Sequence, residues 1–170
     1  MPTRTPKQPA PLIDQVLSTW RVHNEIMTFL IGRIPPKGFA AVPLDSRGRT
    51  VAEQLVHMNA VRLGWLHYHR TGKRPRSSDV KRTDLKSAKD LRTAFEESHA
   101  AVAAFIREAL EGTARPRAFT ASPVRWMGYL ISHESHHRGS IMLALKQNGM
   151  RMKEDVALGG VWGKWMWDKK

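Results

Sequence analysis

The sequence contains no cysteine, which excludes disulfides, thiolate metal sites and cysteine nucleophiles together. It also lacks a long apolar run. The longest covers residues 100–106, far short of the roughly 20 residues that a membrane-spanning helix needs. The first eleven residues are basic and proline-rich, without the apolar segment of a secretory signal. We therefore predict a cytoplasmic protein with a disordered tail at residues 1–11 and one domain over residues 12–170.

Acidic residues are scarce, with 15 Asp and Glu against 28 Lys and Arg, which gives a formal charge of +13. The excess is concentrated between Arg70 and Arg92, a stretch that contains nine basic residues, three acidic residues and no aromatic residue. Proteins that bind single-stranded nucleic acid combine basic residues with aromatic ones. The stretch therefore favours a solvated surface segment over a nucleic-acid interface. A small anionic molecule is the partner that the overall charge favours.

Apolar residues recur at spacings of three and four in four segments, as in amphipathic helices. We predict helices over about residues 12–34, 50–70, 87–110 and 122–148, and no strand. Thr50 and Glu53 form a capping box, and Ser122 followed by Pro123 marks another helix start. Long connections on both sides of the second helix allow neighbouring helices to run parallel. The predicted fold is an all-α four-helix bundle with long crossover connections and an aromatic C-terminal segment.

Two features predict a homodimer. The second helix carries apolar residues on two faces, more than one bundle can bury. The C-terminal segment holds Trp162, Trp165 and Trp167, which must cover an apolar surface of the bundle or of a second subunit.

The histidines of the fourth helix predict a metal site. His133 and His137 are four residues apart, so their side chains project from one helix face and can share one ion. His136 is turned about 100° from His137 and is expected on the surface. A third ligand must come from another helix. His57 is the first candidate and His23 the second, although His23 is also expected as a hydrogen-bonded core residue.

Two segments resemble a known family. Residues 47–59, RGRTVAEQLVHMN, and residues 133–139, HESHHRG, are similar to the DinB/YfiT-like family of metal-binding four-helix-bundle proteins. The resemblance implies that His57, His133 and His137 are the metal ligands. It also implies a bundle with a crossover, and often a dimer. Relatives include thiol-dependent transferases and isomerases, so a low-molecular-weight thiol is an implied cofactor.

Three neutral ligands leave a coordination position open, as in catalytic sites. We therefore expect a divalent-metal-dependent enzyme, either a thiol-dependent transferase or isomerase or a hydrolase, acting on a small molecule. Imidazole ligands do not distinguish Zn, Ni and Fe. Glu134 is a candidate for orienting a neighbouring imidazole or for acting as a base.

Three other hypotheses are open. A non-catalytic metal-binding or ligand-sensing dimeric stress protein fits the same residues, and nucleic-acid binding through the basic stretch is less favoured. A di-iron site would use Glu96 with His99 and Glu134 with His137, which have the Glu-x-x-His spacing. Glu96, however, is turned away from the predicted core face of the third helix.

Overall fold

The structure is a computed structural model that describes residues 10–76 and 87–166. Within these residues it is all helical, and the predicted fold class is confirmed at that level. The four long helices are α1 (Leu12–Ile31), α2 (Val51–Thr71), α3 (Ala88–Leu110) and α4 (Pro123–Gln147). A π-helix (Asp155–Gly163) continues into the short helix α5 (Lys164–Met166), and together they form the C-terminal segment. Most of the predicted disordered tail, and Trp167, lie outside the described residues.

The helix ends follow their capping residues. Thr50 Oγ1 accepts a hydrogen bond from the Glu53 amide (3.2 Å), and the Glu53 carboxylate accepts one from the Thr50 amide (2.8 Å). α2 ends at Gly72, whose φ of 74° is favourable only without a Cβ. The prediction for α1 was three residues too long. After Ile31 the chain continues in a tighter turn, in which Arg33 donates to the Leu30 carbonyl and Ile34 donates to the Ile31 carbonyl, and Pro35 has no N–H to continue the helix.

Side-chain pairs show how the helices run. α1 is antiparallel to α3, and α2 is antiparallel to α4, whereas α2 and α3 are parallel. The pairs that give these directions are Asp14–Arg107 and Trp20–His99 for the first, Gln54–His137 and Trp65–Tyr129 for the second, and Arg62–Phe95 and Arg70–Glu108 for the third. The parallel pair α2–α3 is the arrangement that the long connection allows.

The interior consists of two apolar clusters with a polar layer between them. One cluster surrounds Phe95 and Met58, and the other surrounds Trp20 and Trp126. Between them lie five of the buried polar residues, contributed by all four long helices, namely His23, Asn24, Arg62, Ser98 and Glu134. These residues occupy core-facing positions, so their side chains pack between the helices and not on the surface.

The C-terminal segment packs on α1 of its own chain. Val161 is fully buried, and a Cβ at Gly160 would collide with the ring of Phe29. This contact accounts for part of the apolar surface that the segment was expected to cover. None of the helices in the described part of the chain is both long and apolar enough to cross a membrane.

Candidate metal centre

The structure brings His57, His133 and His137 together between α2 and α4. One ring nitrogen from each lies within 4.8 Å of the others. His57 Nε2 and His133 Nε2 face each other at 3.3 Å, and the ring centroids of His133 and His137 are 4.7 Å apart. The i, i+4 pair on α4 thus meets the third histidine across an antiparallel helix pair.

This geometry fits a small divalent ion. Two nitrogen ligands that each lie about 2.05 Å from a tetrahedral ion are about 3.3 Å apart. The Nε2 atoms of His57 and His133 have that separation. The cluster could therefore bind a metal ion without a large rearrangement of these two side chains.

Gln54 orients the third histidine. The Nδ1–H of His137 donates to Gln54 Oε1 (3.2 Å), which leaves Nε2 of the same ring free for a ligand. Gln54 is buried, and its amide nitrogen donates in turn to the Arg49 carbonyl (3.4 Å). Sequence reasoning missed this partner. Its position one turn before His57 on α2 was the available signal.

The histidines are held in the form that ligation requires. Burial lowers the pKa of all three imidazoles, and the positive charge of Arg49 lowers each further. For His137, the neighbouring histidines contribute more than Arg49 does, and its pKa falls to about 4. Metal ions bind neutral imidazole. The three imidazoles are therefore neutral and able to bind a metal ion at neutral pH. The exposed guanidinium of Arg49 lies close enough to affect them and attracts anions.

An aromatic group adjoins the cluster on the side opposite the Gln54–Arg49 contact. The ring of Tyr129 stacks on that of His133, with centroids 5.9 Å apart and an interplanar angle of 20°. Phe119 and Trp65 contact Tyr129 at centroid distances of 5.1 and 6.0 Å. Tyr129 is 36% exposed, so these rings form an accessible wall.

Glu134 does not reach the cluster. Its carboxylate is fully buried and accepts hydrogen bonds from Arg62 Nε (2.6 Å), Arg62 Nη2 (2.7 Å) and His23 Nε2 (3.0 Å). Burial alone would raise the pKa of this carboxyl, but the charge and hydrogen bonds of Arg62, with the bond from His23, lower it to about 2. The residue expected to orient a neighbouring imidazole or to act as a base thus contacts the imidazole of His23, outside the cluster, and forms part of the polar layer.

The other histidines lie where the helical angles suggested. His136 is exposed, and His23 is a buried, hydrogen-bonded core residue outside the cluster. The di-iron ligands do not converge among the described residues: Glu134 is engaged by Arg62, and Glu96 is exposed and accepts a hydrogen bond from Asn24 (3.1 Å). Among the described residues, His57, His133 and His137 form the one group of three or more potential ligands that converges.

The fold and the site together define an all-helical protein in which three histidines from two facing helices could bind one metal ion. A family model described as the DinB family matches residues 1–160. The chain belongs to the DinB family, which confirms the resemblance inferred from its sequence. A search of the curated proteins finds no match to this chain.

Proposed function

We propose that this protein is a divalent-metal-dependent enzyme whose ion is held by His57, His133 and His137. The observation that carries the proposal is the convergence of three imidazole nitrogens, two of them at the spacing expected for one tetrahedral ion. Three protein ligands leave a position for a substrate or a thiol. When bound, such an ion lowers the pKa of a water or thiol ligand and so supplies a nucleophile near neutral pH.

The surrounding residues suggest the substrate class. Gln54 holds the ring of His137, and the positive charge of Arg49, which acts on all three imidazoles, favours an anionic group near the cluster. The rings of Tyr129 and Trp65 offer an apolar surface on which a substrate can stack. This combination supports a transferase or isomerase that uses a low-molecular-weight anionic thiol, or a hydrolase of small anionic molecules.

One observation favours a second candidate, a non-catalytic metal-binding or ligand-sensing protein. Glu134 is adjacent in sequence to His133, yet its carboxylate is engaged by Arg62 and His23 and offers no base to the cluster. Turnover of a substrate distinguishes the two candidates, because the second candidate binds the ion but catalyses no reaction.

The first experiment compares two histidines that are neighbours in sequence. Untagged wild-type protein should contain about one divalent ion per chain by elemental analysis. His137→Ala should lose most of it, and His136→Ala should keep it, because His136 is exposed and outside the cluster. The reverse result would refute the ligand assignment.

The second experiment tests catalysis. Metal-loaded protein is screened with a panel of low-molecular-weight thiols and a chromogenic electrophile, and separately with chromogenic esters. Activity should vanish on chelation and return when the ion is added back. Full activity of the metal-free protein would refute the mechanism, and absence of turnover with every substrate would favour the second candidate.

The proposal includes a homodimer in the cytoplasm. On α2, Leu63, Trp65, Leu66 and Tyr68 are only half-buried in the single chain, which supports a further apolar contact. A stable dimer would bury above about 1,200 Å² in total. Light scattering at micromolar concentration should give twice the mass of the chain, and a monomer would refute this part.

A further inference from the structure

A cavity of about 430 Å³ lies between α1, α4 and the C-terminal segment. Ile131, Ser135 and Arg138 line it from α4, at least about 100° around the helix from His133 and His137. The cavity therefore opens on a different face of α4 from the three-histidine cluster. Its volume falls within the range of small-molecule sites.

Arg138 brings an unmatched positive charge to this cavity. Its guanidinium lies over the ring of Trp162, 5.1 Å from the ring centroid. Burial lowers the pKa of Arg138, but a guanidinium stays protonated at any physiological pH. Within the described part of the chain, no carboxylate forms an ion pair with Arg138. The nearby carboxylate of Glu134 is already engaged by Arg62 and His23.

Trp165 adds a second unmatched donor. It lines the same cavity, and its Nε1–H is shielded from solvent with no acceptor among the described residues. The ammonium group of Lys164 lies over its ring, 4.4 Å from the centroid. A buried N–H without an acceptor is costly. Because this nitrogen is shielded from the cavity as well as from bulk solvent, a ligand oxygen reaches it only when the indole turns toward the ligand.

The remaining walls are mainly apolar. Val22 and Ile26 of α1 face Ile131 of α4, and Trp162 is 37% exposed at the rim. Apolar walls with a few donors are typical of sites for small organic molecules. The unpaired charge of Arg138 favours a molecule that carries an anionic acceptor, and the N–H of Trp165 becomes a second donor when the indole turns.

We propose that this cavity binds a small organic carboxylate with an aromatic or alkyl portion. The carboxylate accepts hydrogen bonds from Arg138 and, once the indole turns toward it, from Trp165. The apolar portion lies between Trp162 and the aliphatic side chains. The site is separate from the proposed metal centre and does not depend on it.

The test uses isothermal titration calorimetry of the full-length protein with benzoate, phenylacetate, 3-phenylpropionate and 4-phenylbutyrate. Phenylacetamide is the neutral counterpart of phenylacetate, of nearly the same shape. Each titration is repeated on chelator-treated protein, because a carboxylate could also bind a metal ion in the three-histidine cluster. Binding at the cavity should persist without metal, whatever the fate of the proposed enzymatic function.

Three variants locate the site. Arg138→Gln removes the charge, and Trp165→Phe removes the indole N–H while keeping an aromatic ring. Arg33→Gln is the matched control, since Arg33 also lies over an aromatic ring (5.0 Å from the Phe29 centroid) but does not line the cavity. Circular dichroism and the melting temperature check that each variant is folded.

At least one carboxylate should bind with millimolar or tighter affinity, and phenylacetamide should bind more weakly than phenylacetate. Arg138→Gln should weaken carboxylate binding about tenfold to a hundredfold, the range of hydrogen bonds to charged groups. Arg33→Gln should leave it unchanged. In ¹H–¹⁵N spectra, the indole resonance that disappears in Trp165→Phe should shift on ligand addition. This spectrum tests the site even if Arg138→Gln does not fold.

Four outcomes would overturn the proposal. They are absence of binding by every carboxylate of the series, equal affinity for phenylacetamide, binding that is lost on chelation, and binding unaffected by both Arg138→Gln and Trp165→Phe.

Discussion

The ion pair between Arg62 and Glu134 is the interaction whose loss we expect to cost most. Both side chains are 0% exposed, and two hydrogen bonds of 2.6 and 2.7 Å join them. Arg62 also donates to Asn24 Oδ1 (2.8 Å), the Phe95 carbonyl (3.1 Å) and Ser98 Oγ (3.3 Å). One guanidinium therefore connects all four long helices.

Arg62→Met would keep most of the side-chain volume and remove the charge. Glu134 would then be left buried, with only the hydrogen bond from His23. Breaking a buried pair by removing one partner costs about 3–5 kcal/mol. Since the free energy of unfolding of such domains is about 5–15 kcal/mol, the variant should lose a large part of its stability.

The loss should depend on pH. In the wild type, the pKa of Glu134 lies below its unfolded value of 4.5, so this stabilisation is present above pH 4.5 and is lost as the pH falls toward 2. In Arg62→Met, only His23 still opposes the effect of burial, and we expect the pKa of Glu134 to rise above its unfolded value. The penalty in the variant is then relieved as the pH falls through that raised pKa. The difference between the two proteins should be largest near neutral pH and smaller in mild acid.

The assay is urea unfolding of chelator-treated protein at about pH 7 and pH 5, with the double variant Arg62→Met/Glu134→Leu alongside. The double variant should be far more stable than the sum of the single changes, because it leaves no charge buried alone. A loss of less than about 1 kcal/mol in Arg62→Met, or a loss that does not shrink in acid, would refute the reasoning.

Three further predictions test other contacts. Gln54→Leu should weaken metal binding about tenfold to a hundredfold in a chelator competition, because the ring of His137 loses its orienting acceptor; unchanged affinity would contradict this role. Burial lowers the pKa of His69 to about 4, below its unfolded value of 6.5, so stability falls as the pH drops from 6.5 toward 4. His69→Gln should flatten that slope in unfolding experiments, and an unchanged slope would contradict this account. Gly160→Ala should lower the free energy of unfolding by about 1–3 kcal/mol, because the new Cβ clashes with α1. The neighbouring Gly159→Ala should not lower it, because nothing lies within 4 Å of its new Cβ. Equal effects of the two substitutions would argue against the packing described.

Local chemistry made the helices predictable. The capping box at Thr50 and the Ser122–Pro123 start depend on residues that are close in sequence, and the structure has both. The end of α1 was missed because Ile34 is buried and continues the apolar pattern, although the chain after Ile31 forms a tighter turn with i→i+3 hydrogen bonds.

Residues that meet across helices were less predictable. The spacing of His133 and His137 places them on one face, but the choice of His57 rested mostly on the family resemblance. Gln54 was missed because the sequence around a glutamine does not distinguish an exposed residue from one that contacts a functional site. The partner of Glu134 was missed for the same reason, since an arginine in a helix is usually exposed.

The position of Glu134 links the two sites of α4. His133 faces α2, and Arg138 faces α1 and the C-terminal segment, so the rotation of α4 about its axis decides where both side chains point. Apolar contacts alone tolerate small rotations, because they have no direction. The hydrogen bonds of Glu134 to Arg62 and His23 do have direction, and they hold α4 against both α2 and α1. A charged pair that is costly to bury thus fixes one orientation of the helix, and that orientation is the one in which both the cluster and the cavity can form.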